Sequence, residues 1–193
     1  MKNVAVLGGA FNPIHIGHVQ IAESVSKLRL VDEVWVMPCY NSLHNKKMVD
    51  PVHRLEMCKI AFENSDIQVC DFEIKQCLIA PTSEILRKMK FEYPDVHFSF
   101  IIGQDNADEI KTWKQYKQLI KENDFIVYPR YNKKIESNSW YLKKPHTLVM
   151  LHIPNISSTQ VRYGICLCSD YPKKNLPENV LKYIHIYNLY KYY

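Results

Sequence analysis

Residues 8–18 read Gly-Gly-Ala-Phe-Asn-Pro-Ile-His-Ile-Gly-His, and this stretch decides the fold of the 193-residue chain. It directly follows residues 4–7, Val-Ala-Val-Leu, and a short apolar run of this kind is typical of a buried strand. After it, apolar residues recur at the spacing of one helix face between Val19 and Leu28. A strand, a glycine turn and a helix in this order predict the first unit of a parallel sheet.

The rest of the chain continues the alternation of strand-like and helix-like segments. Further strands are predicted at residues 34–37, 67–70, 97–102, 125–128 and 147–153, and helices at 51–62, 83–90, 114–122, 158–166 and 177–187. Residues 130–146 are polar and rich in lysine, which indicates a surface loop. The predicted fold is α/β, a Rossmann-like three-layer sandwich with a parallel central sheet, in one domain over residues 1–193.

Composition and charge narrow the class of protein. Hydrophobic residues make up 47% and charged residues 23%, as in an ordinary globular protein. No apolar stretch reaches the ~20 residues that span a bilayer, and the first apolar run is too short for a signal peptide. The net charge of +5 is spread over separate lysine pairs, which favours a solvated surface over a nucleic-acid footprint. A soluble cytoplasmic protein with no membrane or nucleic-acid partner is expected, and a homo-oligomer is left open.

The six cysteines show neither a CxxC motif nor paired zinc spacing. They are interpreted as small buried apolar residues in a reducing compartment. Cys166 and Cys168 form one close pair with no histidine nearby, so no metal site is predicted.

The residues after the first strand point to phosphate chemistry. Parallel sheets bind ligands at the carboxyl ends of their strands, where Gly8 and Gly9 allow close approach to the backbone. The N-terminus of the next helix offers free N–H groups, which suit an anion. His15 and His18 flank this helix start, three positions apart, and can point at one phosphate chain. Neither the dinucleotide fingerprint nor the Walker loop is present.

The stretch 8–18 resembles the GxFxPxHxGH signature of the nucleotidyltransferase superfamily. Within it, the chain is most similar to the nicotinate mononucleotide adenylyltransferase family, which makes deamido-NAD from nicotinate mononucleotide and ATP. The resemblance covers nearly the whole chain, and its other supporting segments are His53–Met57, Phe100–Asp105, Thr112–Trp113, Ile156–Arg162 and Leu176–Tyr190.

The resemblance implies a role for ten residues that bind ATP. These are Gly8, Gly9, Phe11, His15, His18, Gly103, Asp105, Ser158, Thr159 and Arg162. His15 and His18 are the implied catalytic residues, and Asp105 is expected on a ribose hydroxyl. On their own, the serines before Arg162 are an ordinary helix cap, and Asp105 is equally well a helix cap. The family's ISSTxxR motif is what implies that Ser158, Thr159 and Arg162 contact phosphates, with arginine making paired charge-assisted hydrogen bonds.

The second substrate is implied to contact Thr82, Trp113, His44 and Lys46. Trp113 lies between polar neighbours and matches the tryptophan that stacks on the pyridine ring in the family, although most tryptophans serve in packing. Thr82 is expected near the nicotinate carboxylate at a helix start, where an acid is preferred to an amide.

This chain departs from the family pattern at three places. Ala10 and Asn12 stand where the family usually has threonine and aspartate. The Ser-Tyr before the threonine is Ala-Pro at residues 80–81, which removes one backbone donor. Asn45 replaces a lysine, although Lys46 and Lys47 follow it.

The implied reaction is in-line attack of the mononucleotide phosphate on the α-phosphorus of ATP, with Mg²⁺ carried in by ATP rather than held by a carboxylate cage. Two alternatives stay open. One is a phosphopantetheine adenylyltransferase, although that family is shorter and lacks a tryptophan matching Trp113. The other is a nucleotide sensor without catalytic activity on the same fold.

Overall fold

The computed structural model describes residues 1–43, 46–130 and 133–192. Within them the strands are β1 (Lys2–Gly9), β2 (Glu33–Pro38), β3 (Gln68–Val69), β4 (Val96–Gly103), β5 (Asp124–Tyr128) and β6 (Thr147–Leu148). They form one sheet in the order β3-β2-β1-β4-β5-β6, and each neighbouring pair is parallel. The chain therefore builds outward from β1 to one edge, then crosses to β4 and builds to the other edge. This reversal puts a crevice at the carboxyl ends of β1 and β4.

The helices cover both faces of the sheet. They are α1 (Ile16–Lys27), α2 (Pro51–Ala61), α3 (Phe72–Lys75), α4 (Thr82–Glu92), α5 (Gln104–Asp108), α6 (Tyr116–Glu122), α7 (Ser158–Cys166), α8 (Tyr171–Asn175) and α9 (Glu178–Ile186). Short 3₁₀ turns lie at Ile110–Thr112 and Trp140–Leu142.

Two hydrophobic cores lie on opposite faces of β1, because alternate side chains of a strand point to opposite sides of the sheet. Leu7 belongs to a core that includes Ile21 of α1. Val6 belongs to a separate core that includes Leu86 of α4. The predicted three-layer α/β fold with a parallel central sheet is confirmed, while the single domain over residues 1–193 stays a prediction.

Two predictions about the second half of the chain are wrong in part. The last strand covers only Thr147–Leu148 instead of residues 147–153, although the N–H of Val149 still donates to the Val127 carbonyl of β5 at 2.9 Å. The described part of 130–146 is not merely a surface loop, because Tyr141 is 1% exposed. The indole Nε1 of Trp140 also donates to the carbonyl of Ala107 at 2.8 Å. No helix in the described ranges is long and apolar enough to cross a membrane.

Candidate active site

The histidine loop, residues 10–15, joins β1 to α1 at the crevice. Its backbone is left-handed at Phe11, where φ is 43°, and the Phe11 side chain is 3% exposed. The Phe11 ring meets the His18 ring edge-on at 5.0 Å. Near the end of β1, before the loop, a Cβ on Gly8 would lie 2.9 Å from the Phe100 ring. Any larger residue there would force this ring to move, because the backbone and the aromatic side chain are already in contact.

His15 and His18 lie together at the N-terminus of α1. His15 is the N-cap residue, and the two rings stack with centroids 3.6 Å apart. The backbone N–H of His15 donates to Nδ1 of His18 at 3.2 Å. Because Nδ1 accepts, neutral His18 carries its proton on Nε2 and presents a hydrogen-bond donor there.

Burial keeps both imidazoles neutral. It lowers the pKa of His15 to about 4, and the positive charge of Arg130 acts in the same direction. Burial also lowers the pKa of His18 well below its usual value, followed by the charges of His15 and Arg130. At neutral pH these histidines are therefore donors of neutral hydrogen bonds rather than cations.

A cavity of about 410 Å³ opens at the carboxyl ends of β1 and β4. The histidine loop and its flanks contribute Gly8, Gly9, Phe11 and His18 to its wall. Thr82 and Trp113 line the same cavity, together with apolar side chains that include Ile85, Leu86 and Phe100. The structure thus brings the predicted phosphate-binding loop to the same cavity as Thr82 and Trp113, the residues predicted to contact the carboxylate and the ring of the second substrate.

We name the segment 80–86 together with Trp113 the α4 wall. Pro81 is the N-cap of α4, and its carbonyl accepts from the N–H of Glu84 at 2.9 Å. Thr82 is the first residue of the helix and is partly exposed, as is Trp113. The hydroxyl of Ser83 donates to the side-chain oxygen of Gln115 at 3.1 Å.

Asp105 pairs with an arginine that the sequence analysis did not single out. Arg130 Nε lies 3.0 Å from Asp105 Oδ1, and a Cβ on Gly103 would come within 3.0 Å of the same nitrogen. The hydrogen bond and charge of Arg130 outweigh burial, so the pKa of Asp105 is lowered. Arg130 lines the 410 Å³ cavity and also a second cavity of about 340 Å³, which Asp105 and residues 153–157 complete. Its signal in the sequence was an arginine close behind the carboxyl end of a strand.

The start of α7 is held against the histidine loop. Ser157 caps the helix by accepting from the N–H of Gln160 at 3.2 Å. The hydroxyl of Ser158 donates to the Pro13 carbonyl at 2.8 Å. Arg162 donates through Nη1 to the Asn12 carbonyl at 2.7 Å and through Nη2 to Thr159 Oγ1 at 3.0 Å. These bonds bring the second predicted phosphate-binding motif to the first one, and a direct role for Ser158 on phosphate stays a prediction.

Arg54 contacts the backbone of the histidine loop, and the sequence analysis did not single it out either. It is 0% exposed, and its guanidinium donates to backbone carbonyls at 2.6–3.0 Å. The acceptors are the carbonyls of Ala10, Cys39, Tyr40 and Val49. Its segment, His53–Met57, carried the family resemblance, but nothing in that segment shows which carbonyls it contacts.

Glu73 is a further unpredicted residue on the 410 Å³ cavity. Burial raises the pKa of Glu73 to about 7, although the backbone N–H of Tyr40 and the charge of Arg54 lower it. The pKa of this carboxyl therefore lies near neutral pH, and the carboxyl lines the same cavity as Thr82 and Trp113.

Two predicted site residues remain, His44 and Lys46. His44 falls outside the described residues. Lys46 is exposed, whereas its neighbour Lys47 lines a small cavity with Thr159 and Arg162. Across the described ranges no three His, Cys, Asp or Glu side chains cluster to hold a metal ion.

Comparison with known proteins gives a consistent answer. Residues 6–164 match the family described as cytidylyltransferase-like. A probable nicotinate-nucleotide adenylyltransferase of Flavobacterium psychrophilum is 33% identical over 95% of this chain and 96% of its own length. The Clostridium perfringens (strain SM101) protein of the same name is 33% identical over 99% of both chains.

Solved structures agree with these relatives. The Plasmodium falciparum nicotinic acid mononucleotide adenylyltransferase complexed with NaAD superposes with a TM-score of 0.84 at 29% identity, over 100% of this chain and 99% of that one. The same enzyme complexed with APC gives a TM-score of 0.82 at 28% identity, with the same coverage of both chains. The resemblance predicted from the sequence is confirmed, whereas the roles of individual residues stay predictions.

Proposed function

We infer the reaction from the premise that the chain belongs to the nicotinate-nucleotide adenylyltransferase family, within the cytidylyltransferase-like proteins. The proposed reaction joins ATP and nicotinate mononucleotide to give deamido-NAD and pyrophosphate, a step of NAD biosynthesis. One observation carries the assignment of substrates: His18, Thr82 and Trp113 line the same cavity of about 410 Å³. The phosphate-binding loop therefore lies next to a pocket that suits an aromatic ring, as transfer of an adenylyl group onto a pyridine mononucleotide requires.

The chemistry is in-line displacement at the α-phosphorus of ATP. An oxygen of the mononucleotide phosphate forms the new P–O bond, and the bond from the α-phosphorus to pyrophosphate breaks. The attacking phosphate is already anionic, so no side chain has to remove a proton. Catalysis then rests on positioning and on stabilising the charge of the transition state. Nε2–H of His18 is a fixed donor for that charge, because Nδ1 already accepts from the His15 backbone.

Two arginines supply the positive charge at this site. Arg162 is held on the histidine loop through the Asn12 carbonyl, and Arg130 lines the cavity beside His18. Mg²⁺ would enter the site bound to the triphosphate of ATP and would neutralise part of its charge beside Arg162 and Arg130. Asp105, at the second cavity, is proposed to bind a ribose hydroxyl of ATP.

Preference for the acid over the amide is proposed to arise at the start of α4. Helix N-termini attract carboxylates through free N–H groups and the helix dipole. Pro81 has no N–H, so Thr82 and Ser83 provide the first two backbone donors of this helix. Trp113, on the same cavity, offers the pyridine ring a flat surface for stacking. We place the enzyme in the cytoplasm, in keeping with the interpretation that the six cysteines belong to a protein of a reducing compartment.

The test is release of pyrophosphate from Mg-ATP with three acceptors in parallel. Nicotinate mononucleotide is expected to give the highest kcat/KM, nicotinamide mononucleotide a lower value, and phosphopantetheine none. Turnover with phosphopantetheine alone would assign the chain to that reaction instead. Binding of ATP without turnover of any acceptor would indicate that the protein is a nucleotide sensor without catalytic activity.

A further inference from the structure

Glu73 contributes a carboxyl group to the same cavity as Thr82 and Trp113. It is the second residue of α3, and the preceding residue, Phe72, is 3% exposed within the core on that face of the sheet. The Glu73 carbonyl accepts from the N–H of Leu78 at 2.9 Å, which closes the turn after the helix. The short helix is thereby anchored, and its carboxyl group is held at the wall that is proposed to receive the pyridine ring.

Burial outweighs the contacts that favour an ionised Glu73. The charged and titratable groups around it, on its own and neighbouring elements, are Arg54, Cys39, Cys70 and Asp71. The backbone N–H of Tyr40 and the charge of Arg54 favour the carboxylate, but the Arg54 guanidinium already binds backbone carbonyls. Burial raises the pKa of Glu73 to about 7, so its charge changes between pH 6 and pH 8.

The other ionisable side chains of the cavity keep one charge state in this range. Burial lowers the pKa of His18 well below its usual value, so the imidazole is neutral. Burial raises the pKa of Cys39 and of Tyr128 above their usual values, so the thiol and the phenol are also neutral. Arg130 stays a cation, because guanidinium groups keep their proton in proteins. Among the described residues that line the cavity, Glu73 is therefore the group whose charge depends on pH in this range.

We propose that Glu73 sets the strength of the preference for nicotinate over nicotinamide mononucleotide, and that this preference falls as the Glu73 carboxyl ionises. The inference rests on the proposed function and adds a specificity-determining residue to it. The ionised side chain repels the carboxylate of the acid across the cavity, whereas the carboxamide has no net charge. The N-terminus of α4 attracts the same carboxylate. The preference is therefore the difference between one attractive and one repulsive interaction.

The test measures the affinities of both mononucleotides between pH 6 and pH 8. Calorimetry at fixed salt, with a non-hydrolysable ATP analogue present, gives each dissociation constant without turnover. The pyridinium ring and the phosphate are common to both ligands, so their effects cancel in the ratio of the two constants. In the normal protein the preference for the acid is expected to fall about tenfold from pH 6 to pH 8. Like charges about 10 Å apart, at an effective dielectric constant of about 20, give an effect of this size.

Glu73→Gln keeps the shape of the side chain and removes its titration. Its amide oxygen can still accept from the N–H of Tyr40. The preference in this variant should stay at the level that the normal protein has at pH 6, whatever the pH. Glu109→Gln, the matched control, removes an exposed carboxylate four positions before Trp113 and should follow the normal protein. A preference that still falls with pH in Glu73→Gln, or that is constant in the normal protein, would overturn the inference.

Kinetics separate this inference from the proposed reaction. The change with pH is expected in the KM for nicotinate mononucleotide and not in kcat, because Glu73 acts on the bound acid rather than on the phosphates. If neither mononucleotide is turned over while the ratio of affinities still changes with pH, the proposed function alone is refuted. If deamido-NAD is formed but the ratio is constant, this inference alone fails.

Discussion

The histidine loop and the α4 wall line one cavity, but they are built in different ways. In and beside the loop, polar groups are fixed by hydrogen bonds, since the His18 ring accepts from the His15 backbone. The buried Asn12 side chain contacts Lys47, Val49 and Tyr190. On the α4 wall, Thr82 and Trp113 are partly exposed, and apolar side chains provide much of the surface. A transition state needs donors fixed before the reaction begins, whereas a planar ring needs area and shape. We therefore expect the largest losses of stability and activity from changes to residues that hold or form the histidine loop. Changes on the α4 wall should cause smaller losses.

Arg54→Met tests the foundation of the loop and should have the largest effect. It removes a buried cation and leaves four backbone carbonyls without their donor. The free energy of unfolding is expected to fall by roughly 3–5 kcal/mol, measured by urea denaturation. Arg87→Met, on the exposed face of α4, is the matched control and should change stability by less than about 0.5 kcal/mol. A loss of similar size in the control would show that the buried contacts of Arg54 are not the cause.

His18→Ala tests the loop's donor directly. Turnover is expected to fall by roughly 10²–10³-fold, the usual cost of removing one preorganised donor, with a smaller change in the KM for ATP. Steady-state kinetics on ATP provide the measurement. His185→Ala, at an exposed position of α9, should keep normal rates. Near-normal turnover of His18→Ala would remove this residue from the mechanism.

Glu73→Gln tests how pH acts on the two regions. The pKa of Glu73 is about 7 in the folded state and 4.5 in the unfolded chain. Between these values the folded state binds more protons, so the free energy of unfolding falls as the pH rises from 4.5 to 7. The pKa of His15 is about 4 in the folded state and 6.5 in the unfolded chain. Between these values the unfolded chain binds more protons, so the contribution of His15 to stability rises with pH. The variant should therefore gain stability over the normal protein, on the order of 2 kcal/mol, between pH 4 and pH 8.

Thermal unfolding followed across pH measures this difference. The control is Glu92→Gln, which removes an exposed carboxylate and should run parallel to the normal protein. A Glu73→Gln curve that also runs parallel would mean that the Glu73 carboxyl keeps its ordinary pKa.

Trp113→Ala tests the α4 wall and should have the smallest effect. Losing one stacked ring is worth about 1–3 kcal/mol, so the KM for the mononucleotide is expected to rise about tenfold. The KM for ATP and kcat should change little. Trp113→Phe keeps an aromatic face and should recover most of the loss. An equal rise in both KM values would show that Trp113 supports the whole cavity rather than the ring.

The sequence predicted the parts of the molecule that local patterns control. The glycine turn after β1, the helix that starts beside His15 and the cap before Arg162 are all readable from neighbouring residues. Arg54 was not predictable as a support, since its acceptors lie between residues 10 and 49 and meet only in the fold. Arg130 was likewise assigned to a polar loop, because its partner Asp105 comes from a different strand end. The extent of β6 depends on pairing at the sheet edge, which apolar composition does not control.

The bond between Tyr190 and Asn12 links two residues that are 178 positions apart. At about 5–20 residues per second, a ribosome needs roughly ten to thirty-five seconds to get from one to the other. Throughout that interval the nascent chain already carries both histidines but lacks the last contact that orders their loop. A nascent chain released before residue 190 would be missing this contact, so the full set of bonds that hold the histidine loop depends on synthesis reaching Tyr190.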